Sequence, residues 1–85
     1  MGKGRISQKT LTYKGYAAIV GWSEKEGRYV GDSVGLTKAV IEVCGATLNE
    51  ARAEFADSIE WYLEYCNKEG IEPERPQINL QRGEK

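Results

Sequence analysis

Residues 47–70, TLNEARAEFADSIEWYLEYCNKEG, decide the fold because they carry both a helix start and a helix stop. The first four residues fit a capping box, in which the Thr47 hydroxyl accepts from the Glu50 amide and Glu50 reaches back to the Thr47 amide. Apolar residues then recur every three or four positions, the period of an amphipathic helix laid on a sheet. These residues are Leu48, Ala51, Phe55, Ile59, Tyr62, Leu63 and Cys66. Gly70 suits the C′ position, so the pattern predicts one long helix that ends there.

The residues before this helix favour β-structure. Residues 13–22 are aromatic and β-branched and apolar on both faces, which predicts an interior strand. A polar turn over 23–27 leads into a returning strand over 28–34, and a third strand is predicted over 38–44. The order β-β-β-α predicts an α+β domain, a three-stranded antiparallel sheet packed by one long helix. A short final strand fits the alternation in 77–81.

The composition argues against an enzyme. The chain has 85 residues and no histidine, which removes the commonest general base, the commonest metal ligand and every Ser-His or Cys-His dyad. Its two cysteines are too few for a structural zinc site. It also has no glycine-rich phosphate loop and no nucleophile elbow. We therefore expect no catalytic residues, no cofactor and no metal.

Charge and apolar runs predict the organisation and the compartment. The first fourteen residues hold four basic and no acidic residues, whereas the remainder holds eight basic and thirteen acidic ones. We predict a basic flexible arm over 1–9, the domain over 10–72 and an extended tail over 73–85, because two prolines in the tail forbid helix. The longest apolar run is far below the roughly 18 residues of a membrane span, and the N-terminus does not resemble a signal peptide. We expect free thiols and a cytoplasmic protein that does not contact membranes.

Two carboxylates and one cysteine allow alternative interpretations. Asp32 and Glu42 lie in predicted strands, and on adjacent strands facing one way they could bind a divalent ion. The commoner interpretation makes them outward polar positions of edge strands. Cys44 lies just before the helix cap, where a thiol is sometimes reactive, but a packed thiol is favoured without a histidine beside it.

Exposed aromatic residues are the best candidates for a contact surface. Trp61 and Tyr65 flank the apolar stripe of the helix and widen it beyond what one small sheet can cover. Together with Trp22 and Tyr29 they are the predicted partner or oligomer interface. We expect self-association through the sheet edge and the Trp61/Tyr65 flank, most simply as a symmetric dimer. The helix also carries an acidic, solvated face formed by Glu50, Glu54, Asp57, Glu60 and Glu64.

Taken in order, these segments resemble the HicB family of antitoxins over residues 11–76. Residues 45–50, GATLNE, are similar to the family's Gly-x-Ser/Thr-x-x-Glu helix start. Residues 55–66, FADSIEWYLEYC, resemble its pattern of Phe, then Ala, then Tyr-Leu-Glu-x-Cys. Residues 70–76, GIEPERP, resemble its Gly-x-x-Pro-x-x-Pro exit. The resemblance implies a reduced ribonuclease-H-like domain, without catalytic carboxylates, that forms dimers or tetramers.

The same resemblance implies a partner. HicB-like proteins neutralise HicA, a small basic ribonuclease, by covering its active site, and many carry a C-terminal DNA-binding module. After Pro76 the helices of a ribbon-helix-helix module do not follow, so we do not expect operator binding. We expect an antitoxin-like domain that binds a HicA-like toxin and self-associates. The alternatives are a stand-alone HicB-like oligomer with another role, or a nucleic-acid-binding regulator using the basic arm and residues 77–81.

Overall fold

The computed structural model describes residues 8–76, which form four strands followed by one helix. The elements are β1 (Lys9–Tyr13), β2 (Tyr16–Ser23), β3 (Arg28–Val34), β4 (Glu42–Gly45) and α1 (Leu48–Glu69). The strands form one antiparallel sheet in the order β1-β2-β3-β4, so each strand pairs with its neighbour in sequence. The predicted α+β class, with an antiparallel sheet and a single helix, is confirmed. The predicted strand number is wrong, because the sheet has four strands and not three.

The additional strand comes from a tight turn inside the predicted first strand. Lys14 and Gly15 both have positive φ, 51° and 85°, and reverse the chain between Tyr13 and Tyr16. Positive φ at both central positions is the requirement of a type I′ hairpin turn, which matches the twist of the flanking strands. Glycine adopts this conformation without strain, whereas a lysine there is uncommon. Lys9, assigned to the flexible arm by the sequence, is therefore the first residue of an edge strand.

The strand β3 has the predicted bounds, but β4 begins later than predicted. Residues 35–41 form a loop, in which Val40 is 71% exposed while Ile41 is buried in the core. Ile41 is fixed by Ser33, whose hydroxyl accepts from the Ile41 amide at 3.0 Å and whose amide donates to the Ile41 carbonyl at 2.8 Å. The β-branched residues of this stretch favoured a longer strand, and the loop bonds overrode that preference.

The helix begins and ends where its caps predicted. Thr47 is extended and its hydroxyl accepts from the Glu50 amide at 3.1 Å, while Gly70 has φ 70° and ends the helix. One predicted detail is wrong, because the Glu50 carboxylate accepts from the Ala46 amide at 3.1 Å and not from Thr47. The Glu50 carboxylate therefore satisfies the Ala46 amide, one residue before the predicted donor, in the segment that enters the helix.

The core lies between α1 and one face of the sheet. Its buried residues are Leu11, Tyr16, Ala18, Val20, Ile41, Val43, Ala51, Phe55 and Ile59, and Leu48, Tyr62 and Leu63 pack against it. Cys66 is also buried, so the predicted apolar stripe of the helix is confirmed. At Gly45 a Cβ atom would lie 2.5 Å from the Ala51 nitrogen, so only glycine lets β4 approach the first turn of the helix.

Of the remaining sequence predictions, one concerns membrane spans and the others concern the two ends of the chain. No helix within residues 8–76 is long and apolar enough to cross a membrane. The predicted strand over 77–81 and the first seven residues of the basic arm lie outside the described residues, and so does the nucleic-acid-binding alternative that depends on them.

Candidate partner-binding surface

Trp61 and Tyr65 form an exposed aromatic stack on α1. Their rings are nearly parallel, at 7°, with centroids 5.5 Å apart. Trp61 is 66% exposed and Tyr65 is 44% exposed. The spacing of four residues places the two side chains one above the other on the helix surface, which explains the stacking. Most of a large indole ring therefore remains in contact with water, without the stabilisation that burial would give.

The helix that carries this stack is acidic. The helix α1 contains six acidic and two basic residues. Asp57 precedes Trp61 by one turn, and Glu64, with Asn67 and Lys68, lines a surface groove with both rings. This surface of the helix thus combines aromatic side chains with acidic ones. Lys68 is the basic residue among the described residues that line the groove.

Glu60 is engaged elsewhere. Its carboxylate accepts a hydrogen bond from the Tyr13 hydroxyl at 2.5 Å and forms an ion pair with the Lys14 ammonium at 2.7 Å. The bonds from Lys14 and Tyr13 lower the pKa of Glu60, and the same carboxylate raises the pKa of both partners. The side chains of Lys14 and Glu60 are about half exposed, so their ion pair contributes little stability. These contacts of Glu60 connect the β1–β2 turn to the helix. Because Glu60 is bonded there, Glu64 in the groove and Asp57 one turn before Trp61 are the carboxylates that we consider beside the stack.

Trp22 and Tyr29 form a second aromatic pair in a different place. They lie directly opposite each other on β2 and β3, and their rings meet edge to face at 76° with centroids 5.1 Å apart. Tyr29 packs against the core and pairs with Gly45, which contacts the first turn of α1 at Ala51. Ten residues of helix, roughly 15 Å, separate Ala51 from Trp61. The structure therefore does not bring the four predicted interface residues into one patch.

Asp32 and Glu42 do lie as the metal interpretation required. They are direct cross-strand partners on β3 and β4 and both are exposed, on the sheet face opposite the helix. Within residues 8–76, however, no group of three histidine, cysteine, aspartate or glutamate residues could hold a metal ion. Two carboxylates leave a divalent cation short of protein ligands, and like charges directly opposite repel each other. This geometry supports no metal centre.

Cys44 and Cys66 form no disulfide. Cys66 is buried against the core, and Cys44 is half-buried on β4. The Arg28 guanidinium donates to the Cys44 sulfur at 3.4 Å, which is a packing contact between the β3 and β4 strands.

Glu74 is the residue that sequence reasoning missed. Its amide donates to the Tyr62 hydroxyl at 2.8 Å, and its carbonyl accepts from the Tyr16 hydroxyl at 2.7 Å. Its carboxylate accepts from the Thr37 amide and hydroxyl at 2.6 and 2.7 Å and from the Lys38 amide at 2.9 Å. These donors favour the ionised form and lower the pKa of Glu74 to about 2.

Residues 71–76, which we call the C-terminal strap, are therefore attached to the domain although they form neither helix nor strand. The Arg75 guanidinium lies 5.5 Å from the centre of the Tyr16 ring and adds a cation–π contact. The part of the predicted tail over 73–76 thus contacts the domain. Glu74 lies between two prolines, where a carboxylate is ordinarily solvent-exposed. The residues that bond its carboxylate lie 36 and 37 positions away, so no local sequence pattern indicated the contact.

No family model, no curated protein and no solved structure matches the chain. The resemblance to the HicB family thus rests on the quoted motifs, and it stays a prediction.

Proposed function

We propose that the chain is a non-catalytic, antitoxin-like interaction domain that binds and masks a small basic ribonuclease of the HicA type. The observation that carries the proposal is the exposed Trp61–Tyr65 stack on an acidic helix. Aromatic side chains are enriched in the centres of protein interfaces, where they account for much of the binding free energy. The exposed Trp61–Tyr65 stack is therefore suited to contact with another protein.

Charge supports the choice of a basic partner. The helix that presents the stack has six acidic and two basic residues, and a cationic protein is attracted to such a surface before contact. This attraction acts mainly on the association rate and on the selection of partners, and salt weakens it. Binding to a basic ribonuclease should therefore slow with increasing ionic strength.

Co-expression with a HicA-type ribonuclease tests the proposal. The chain should restore growth to cells that express the toxin and should form a complex measurable by calorimetry. The double variant Trp61→Ala/Tyr65→Ala should weaken binding by about 30-fold or more, the loss typical of interface hot spots. Val40→Ala is the matched control, because Val40 is an exposed apolar residue in the β3–β4 loop. Absence of both rescue and complex with several such toxins would contradict the proposal.

Self-association is a second part of the proposal. The sheet face opposite α1 includes Ile19, which is 38% exposed, and strands β1 and β4 are the sheet edges. A symmetric dimer could cover this face or extend the sheet, and could include the Trp61/Tyr65 flank. Sedimentation at micromolar concentrations should show a dimer, and a dimer retained by Trp61→Ala assigns the interface to the strands. A monomer for the unmodified chain would contradict self-association and leave toxin binding unaffected.

A further inference from the structure

We infer that the Trp61–Tyr65 stack is a binding site for a guanidinium group, so that the partner inserts an arginine side chain there. The inference rests on the proposed function in one respect, namely that this surface meets a partner. It adds the chemical group that the surface recognises.

The ring geometry suits a flat cation. Trp61 and Tyr65 are stacked within 7° of parallel, and Trp61 is 66% exposed, so the indole leaves aromatic surface open to solvent beside its stacking partner. A guanidinium is planar and weakly hydrated, and it stacks on such faces with both cation–π and dispersion attraction. A lysine ammonium is strongly hydrated and loses more when it leaves water. The aromatic face therefore favours arginine over lysine.

The neighbouring carboxylates provide hydrogen-bond acceptors at the rim of the stack. Glu64 lines the same groove as the two rings, and Asp57 lies one helical turn before Trp61. Within residues 8–76 neither carboxylate forms an ion pair or a side-chain hydrogen bond, whereas Glu60 is held by Tyr13 and Lys14. The N–H groups of a guanidinium lie in its own plane, so in a guanidinium stacked parallel to an indole they point sideways, where carboxylates can accept from them.

Charge also favours a different protein as the occupant over a second copy of α1. Two helices that each carry six acidic and two basic residues repel each other when their acidic faces approach. Lys68, in the same groove, opposes a cation and so limits the affinity of the site. Removing its charge should therefore strengthen guanidinium binding, a result that an ordinary apolar contact surface would not give.

Titration of the full chain with short capped peptides tests the inference. The peptides are acetyl-Gly-Gly-Arg-Gly-Gly-amide and its lysine and citrulline counterparts, and citrulline keeps the shape of arginine without its charge. Binding is followed by the NMR signals of the Trp61 indole N–H and the Tyr65 ring. The arginine peptide should shift these signals with higher affinity than the lysine peptide, and the citrulline peptide should not. The Trp22 indole serves as the internal control.

Variants sharpen the result. Trp61→Ala, followed by the Tyr65 ring signals alone, should weaken binding of the arginine peptide about tenfold. Glu64→Gln should weaken it about two- to fivefold, and Lys68→Gln should strengthen it by about the same factor at low salt. Circular dichroism checks that each variant keeps the helix, which is expected because all three side chains are exposed.

The two proposals fail in different ways. Equal binding of arginine and citrulline peptides, or shifts confined to Trp22, would overturn this inference and leave toxin binding standing. Selective arginine binding without any complex with a HicA-type toxin would support the inference and contradict the proposed function. Toxin binding unchanged by Trp61→Ala would also overturn the inference.

Discussion

The two aromatic pairs of this domain each consist of one tryptophan and one tyrosine, and they differ in their surroundings. Trp22 and Tyr29 meet edge to face across two strands, and Tyr29 packs on the core. Trp61 and Tyr65 stack along one helix, where Trp61 is 66% and Tyr65 44% exposed, compared with 40% for Trp22. The first pair joins two neighbouring strands, whereas both rings of the second pair lie on a single helix. The pairs therefore differ in what their tyrosine contacts, because Tyr29 packs on the core whereas Tyr65 stacks on Trp61.

The largest disruption of the first region should come from Gly31→Ala, on the strand that carries Tyr29. A Cβ atom at Gly31 would lie 1.9 Å from the Ile19 carbonyl oxygen, so the β2 and β3 strands must separate. We expect a loss of about 3 kcal/mol in the free energy of unfolding, the upper range for overpacking. Urea denaturation measures the loss. Gly27→Ala is the matched control, because φ is 67° there and nothing lies within 4 Å, so it should cost only about 1–2 kcal/mol of backbone strain.

Truncating one tyrosine in each pair compares the regions directly. Tyr29→Ala should lower the free energy of unfolding by about 2 kcal/mol, since a half-buried ring loses less than a fully buried one. Tyr65→Ala should change it by no more than about 0.5 kcal/mol, as for other exposed side chains. Equal losses in the free energy of unfolding for the two variants would show that the Trp61–Tyr65 stack stabilises the fold, and would contradict the difference between the two pairs.

A pH titration tests the attachment of the C-terminal strap, which bonds Tyr62 on the helix that carries the second aromatic pair. The folded-state pKa of Glu74 is depressed, so its contribution to stability is present above the ordinary carboxyl pKa of 4.5 and is lost as the pH falls toward about 2. Glu74→Gln should therefore reduce the loss of stability across this acidic window. Glu60→Gln is the comparison, since the pKa of Glu60 is also lowered, but by bonds from the Lys14 and Tyr13 side chains and not by backbone amides. Identical acid unfolding curves for the Glu74 variant and the unmodified chain would contradict the assignment.

The smallest expected effect is that of Trp61→Ala on stability. The ring is 66% exposed, so its removal should shift the melting temperature by only a degree or two, while binding of a basic partner falls strongly. Calorimetry with and without partner measures both quantities. A large loss of stability would place Trp61 with Tyr29 as a residue of the fold.

The features predicted from the sequence are those whose signals are local. Thr47 and Gly70 fixed both ends of the helix, because a cap depends on residues within one turn. The flanking position of Trp61 and Tyr65 followed from the helical period. The Lys14–Gly15 turn was missed because its lysine adopts the left-handed region in place of the usual asparagine or aspartate.

The features that were not predicted depend on distant contacts. The late start of β4 involves the loop over 35–41, whose amides at Thr37 and Lys38 bond Glu74 in place of a neighbouring strand. The contrast between the two aromatic pairs required the β2–β3 register and the packing of Tyr29, neither of which follows from spacing along the chain. Exposure of a side chain is a property of the assembled domain, so sequence alone gives candidates for a surface and not their surroundings.

The C-terminal strap also has a consequence for rates. Its bonds join Tyr16 to Glu74 across 58 positions, far more than the adjacent strand pairs of the sheet. Such long closures form after local structure, so the strap should dock once the sheet and helix are in place. Contacts absent from the folding transition state slow unfolding and leave the folding rate unchanged. We therefore expect the contacts of Glu74 to prolong the lifetime of the folded domain without changing how quickly the domain assembles.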